Sequence, residues 1–165
     1  MKKVFKIGSI ALACGALSLS AGTVSAQTVS PVGGTGTVTG TIYLKHLLPS
    51  TSTCTLTGLP VSATSSSTVV TTWSGNKVLC TQPLLVGVTA APSWTVTQTG
   101  PTSVTIQTQR INTILGWCPP KLLTASVVSK TPTSVTLDIP YQTWAGQSSG
   151  TCEVSGTVTV NGITL

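Results

Sequence analysis

Two-residue alternation of apolar and polar positions runs through this chain, and a helical period is nearly absent. Across residues 37–44 threonine takes one face while Val38, Gly40, Ile42 and Leu44 take the other, the pattern of a half-buried strand. Residues 53–57 repeat it ahead of Gly58-Leu59-Pro60, which predicts a turn. Residues 62–67 are small and polar and predict a loop, and further strands are expected over 69–73, 78–80 and 84–89. Two hairpins follow, 94–97 with 103–107 around Gly100-Pro101, and 127–128 with 134–139 around Thr131-Pro132. The string Pro-Thr-Ser-Val-Thr starts at both Pro101 and Pro132. Proline fixes φ where a reversing chain enters a strand, so the recurrence reads as shared turn chemistry. The last ten residues alternate around Asn161-Gly162, a strong type I′ hairpin signal. Strands this short, at this spacing, predict an all-β fold: a single antiparallel β-sandwich or jelly-roll-like barrel.

The front of the chain does not belong to that fold. Lys2, Lys3 and Lys6 precede an apolar run over 7–19, and Val24-Ser25-Ala26 supplies small residues at a cleavage site. Residues 1–26 therefore read as a cleaved signal peptide. A competing reading lipidates Cys14, which would anchor the protein to a membrane. The glycines of Gly33-Gly34-Thr35-Gly36 make 27–36 a flexible N-terminal segment, leaving 37–165 as one domain. No later stretch reaches the ~20 apolar residues of a membrane span, so stable membrane insertion is not expected.

Composition sharpens this picture. Threonine occurs 31 times after residue 26. It is β-branched and suits a pleated surface, with a methyl and a hydroxyl side by side. Charge is scarce: Lys45, Lys77, Arg110, Lys121 and Lys130 oppose only Asp138 and Glu153, a mature net charge of +3. Five scattered cations make no patch, so nucleic acid is not an expected partner. Phe and Met are absent after the signal, leaving aliphatic side chains and four tryptophans to fill the core. Cys54, Cys80, Cys118 and Cys152 form an even set in an exported chain and predict two disulfides. Of three pairings, Cys54 with Cys80 and Cys118 with Cys152 close the shorter loops and are preferred. Each is worth about 3.5 kcal/mol by loop entropy. Zinc is disfavoured, because no CxxC occurs and the single histidine, His46, stands apart in sequence.

Catalysis finds little to work with. One His, one Asp and one Glu follow the signal, without Gly-x-Ser-x-Gly, a P-loop or a dinucleotide fingerprint. His46 reads as a solvated loop residue and the two acids as outward strand positions. No catalytic residue, cofactor or metal is assigned. Trp73 and Trp94 read as core. Trp117, in Gly116-Trp117-Cys118-Pro119-Pro120, and Trp144 are the candidates for surface contact.

These landmarks resemble the small secreted proteins known as activators of alkane oxidation (PraB-like). The resemblance rests on Ser30-Pro31-Val32-Gly33 after the cleavage site, Cys54-Thr55-Leu56-Thr57-Gly58, Pro92-Ser93-Trp94, Gly116-Trp117-Cys118-Pro119 and Cys152-Glu153-Val154-Ser155-Gly156. Pro119 stands where that family usually has Gly, and Ser93 is inserted before Trp94. The resemblance implies a secreted, non-catalytic accessory protein that helps cells grow on or adhere to hydrophobic substrates. Expected partners are then hydrophobic surfaces or matrix components, with self-association through sheet edges that few charges protect. A fibre subunit exchanging residues 27–36 and a carbohydrate-binding module using Trp117 and Trp144 are the alternatives.

Overall fold

The computed structural model describes residues 29–46, 51–72, 77–81, 93–113, 116–147 and 150–165. The predicted signal peptide, Cys14, Trp73 and the strand expected over 84–89 lie outside them. The described residues form eleven strands: β1 (Thr35–His46), β2 (Ser52–Ala63), β3 (Thr68–Thr72), β4 (Val78–Cys80), β5 (Ser93–Gln98), β6 (Ser103–Gln107), β7 (Ile111–Thr113), β8 (Gly116–Cys118), β9 (Leu122–Lys130), β10 (Ser134–Ala145) and β11 (Thr151–Asn161). Eight of them close on themselves in the order β1-β11-β10-β9-β6-β5-β3-β2, with β2 returning to β1. All pairings are antiparallel. Apart from the excursions through β4 and through the β7–β8 hairpin, each strand pairs with the next in sequence. The all-β barrel is thus an up-and-down meander.

Parity decides what the barrel encloses. On β1 the even residues Val38, Ile42, Leu44 and His46 are buried, and on β11 so are Cys152, Val154, Val158 and Val160. Threonines alternate with them and face outward. On β2 the buried set changes phase, from Cys54 and Leu56 to Leu59, Val61 and Ala63. Strict alternation would turn the second group to solvent. An extra residue restores it: Thr57 and Gly58 together oppose one position of β1. Gly58 takes φ +63° there, and this bulge replaces the turn that Gly58-Leu59-Pro60 predicts. A second bulge, at Pro140 and Tyr141, moves β10 from an odd phase (Val135, Leu137, Ile139) to an even one that pairs Gln142 with Val154 and Trp144 with Cys152.

The two barrel ends differ. At one, short turns join β2–β3, β5–β6 and β9–β10, and both described termini fold across the opening. Ser30 and Thr164 exchange backbone hydrogen bonds of 3.0 and 3.1 Å, and Val29 donates to Ser66 O. Val29, Ile163 and Leu165 are buried as a plug. From Val29 onward, the segment expected to be a flexible lead-in is docked, and β1 already starts at Thr35. Asn161-Gly162 likewise turns the chain without making a hairpin. Both edges of β11 are occupied by β1 and β10, so a returning strand has no edge to join and crosses the barrel end instead.

The opposite, loop-bearing end carries the excursions. Each is tied to a barrel strand by a disulfide: Cys54–Cys80 holds β4 to β2, and Cys118–Cys152 holds the β7–β8 hairpin to β11.

Candidate functional site

Inside the barrel lies a cavity of about 40 Å³. Ile42, Leu56, Trp94, Val96, Ile139 and Val158 are among its walls, and Thr71 is the one polar residue lining it. The Thr71 hydroxyl is turned away into a 3.0 Å bond to Pro60 O. A space of this size has room for water, but water needs two or more polar partners to stay. The lining offers essentially none, so the cavity favours apolar matter.

The residues singled out in sequence gather at the loop-bearing end. Trp117 and Trp144 flank the Cys118–Cys152 disulfide, Trp117 as the neighbour of Cys118 and Trp144 as the ladder partner of Cys152. Both rings are half-buried. Trp144 Nε1 donates to Pro119 O at 3.1 Å, and the Arg110 guanidinium sits 4.4 Å from the Trp117 ring centre, a cation–π arrangement. Trp94 is buried as expected and forms part of the cavity wall.

His46 departs from the reading of a solvated loop residue. It ends β1 on the inward parity and is 1% exposed. It opposes Cys152 across the ladder, and a Cβ added to Gly146 would lie 2.7 Å from its Nε2. With Cys118 and Cys152 it forms a buried cluster whose donor atoms lie within 4.8 Å of one another. Both sulfurs are committed to the disulfide, so the cluster as it stands does not present thiolate ligands. Inward parity on β1 was the signal for this burial. Asp138 and Glu153 stay apart in separate contacts. Thr157 Oγ1 donates to Asp138 Oδ1 at 3.4 Å, and Glu153 pairs with Lys45 at 3.2 Å. The Glu153 carboxylate also accepts from the Tyr141 hydroxyl, which holds Tyr141 above its usual pKa.

An eight-stranded up-and-down barrel, plugged at one end and dry inside, belongs to the class of small barrels that either fill with side chains or enclose one ligand. The chain is a member of the alkane oxidation protein activator PraA/PraB-like family, which matches residues 1–164. No curated protein matches it closely in sequence. Among solved structures, it is similar to a polyisoprenoid-binding domain from Saccharophagus degradans implicated in plant cell wall breakdown. The TM-score is 0.50 at 7% identity, covering 79% of this chain and 99% of that one. At that identity the likeness is one of fold. The two disulfides suit an extracellular or periplasmic compartment, and no helix among the described residues is long and apolar enough to cross a membrane.

Proposed function

We propose that this is an exported, non-catalytic accessory protein that takes one apolar chain into its barrel at the boundary between the cell and a hydrophobic substrate. The observation that carries this reading is the apolar cavity lined by Ile42, Trp94, Val96 and Val158 among others. Membership in a family of alkane oxidation activators and the fold shared with a polyisoprenoid-binding domain both support it. In its present shape the cavity holds the end of such a chain, and the remainder runs toward the loop-bearing end, away from the plug of Val29, Ile163 and Leu165. Titration of the secreted, oxidised protein with a fluorescent fatty acid tests the idea. One saturable site per chain, emptied by competing aliphatic chains, is expected. Absence of saturable uptake refutes it.

A second reading places the activity on the outside, as adsorption to hydrocarbon or adhesion within a biofilm matrix. The observation in its favour is a set of exposed apolar side chains, Val32, Leu79, Leu122, Val128 and Tyr141 among them, on a surface with few charges. Interfacial tension of the purified protein, compared with a highly charged β-barrel of similar size, separates this from uptake into the interior.

A further inference from the structure

The barrel wall is not uniformly stitched. At the loop-bearing end most neighbouring strands stay paired to their tips, as in His46 with Cys152, Ala145 with Thr151, and Gln107 with Leu122. Two intervals depart from this. Between β2 and β3 the ladder stops early, and β4 takes the vacant edge of β2. Between β9 and β10 it stops at Asp138 with Ser126, and no strand among the described residues fills the space. Beyond that point, among the described residues, β9 pairs only with β6, and β10 only with β11.

One side chain spans the split. Thr124 N donates to Gln142 Oε1 at 2.9 Å, and Gln142 Nε2 donates back to Thr124 O at 2.8 Å. The primary amide thus stands in for the missing ladder partner, satisfying both backbone groups of Thr124 that face the gap. The bulge at Pro140 and Tyr141 makes this happen, since it shifts Gln142 onto the inward parity. Ile139, the β10 residue just before the split widens, is also part of the cavity wall. The dry interior therefore reaches the foot of the seam.

We propose that the β9–β10 seam is the mouth of the barrel and Gln142 its latch, and that the ligand is a single-chain amphiphile whose head group takes over the bonds to Thr124. This rests on the reading of the interior as a chain-binding site. The bonds between Thr124 and Gln142 lie at the exposed surface of the wall, so it is a methylene chain lying across them that would shut water out and leave the Thr124 N–H and C=O without partners, which is costly. A hydroxyl or carboxyl head supplies a donor and an acceptor in place of the amide. A bare alkane supplies neither.

Competition against a fluorescent fatty acid tests this with dodecanol and dodecane as competitors, alongside stopped-flow uptake by wild type and Gln142→Leu. Dodecanol should displace the probe at a roughly ten-fold lower concentration than dodecane. Gln142→Leu should raise the probe's association and dissociation rates together, by about ten-fold, and narrow the gap between the two competitors. Gln142→Glu keeps an acceptor for Thr124 N–H and removes the donor to Thr124 O. It serves as the second variant should Gln142→Leu misfold, and it should raise both rates by a smaller factor. Equal potency of the two competitors, or rates independent of residue 142 in a folded variant, overturns the seam. A wild-type protein that takes up no probe overturns the chain-binding reading itself.

Discussion

Gly156→Ala is expected to be among the most damaging single-methyl additions to this barrel. Gly156 sits on the inward parity of β11, opposite Ile42, with φ at +151°. A Cβ there would press on Thr41 O and lie 2.7 Å from Ile42 Cα. Both obstacles are backbone, so relief requires prising β1 from β11, the pairing that joins the first and last barrel strands. Overpacking costs about 1–3 kcal/mol, and a side chain at this φ adds about 1–2 kcal/mol. The expected loss is therefore about 2–5 kcal/mol, a large share of a typical domain's stability. Gly58→Ala is the control. Its φ is +63°, but nothing lies within 4 Å of the added Cβ, so only the backbone penalty of about 1–2 kcal/mol applies. Urea unfolding of the oxidised proteins measures both. Equal losses in the two variants would show that the close approach of β1 and β11 does not set the cost.

Other consequences are as direct. Replacing Cys118 and Cys152 together by serine should cost about 3.5–4 kcal/mol, from a sequence separation of 34, and the Cys54 and Cys80 pair, 26 apart, slightly less; urea midpoints report both. Ile163→Ala, in the plug, should lose about 2–5 kcal/mol in the same assay, far more than an exposed C-terminal residue would. Ultraviolet titration of the two tyrosines should show one ionising above the ordinary 10.0, because Glu153 accepts from the Tyr141 hydroxyl, and Glu153→Gln should return it toward that value. Since the folded state holds this proton more tightly, the interaction stabilises fully below pH 10.0 and is lost as pH rises through the folded pKa of Tyr141.

Much of the barrel was legible in the alternation. Threonine against Val38, Ile42 and Leu44 places β1 and its inner face correctly, and extending that parity by one step buries His46. What alternation cannot reveal is closure. A sandwich and a barrel both bury one face of each strand, and they differ in whether the first and last strands meet. The two bulges left traces as phase breaks, between Leu56 and Leu59 and between Ile139 and Trp144. Gly58 and Pro60 at the first point, and Pro140 at the second, are residues that turns also use, so such a break is easily taken for a turn. Asn161-Gly162 misleads for a related reason: turn chemistry is local, whereas a hairpin also needs a free edge, and the fold leaves β11 none. Trp144 and Gln142 reach their positions only through the second bulge, so their joint placement at the β9–β10 split was not visible in the chain.

Composition carries one more consequence. The side chains around the cavity are mostly Val and Ile, short and stiff at χ1, and the chain past its signal has no Phe or Met to bridge the axis. Methionine is the residue that fills irregular gaps. The preference for β-branched residues that builds the wall therefore also leaves its centre open. Val158→Met should then stabilise the protein by up to about 1 kcal/mol, the value of filling about 40 Å³ at about 24 cal/mol per Å³. It should also abolish uptake of a fluorescent fatty acid. A gain in one property with loss of the other is the signature of a cavity kept for function. If Val158→Met raises the unfolding midpoint and uptake persists unchanged, the hollow is a by-product of composition and the binding site lies elsewhere.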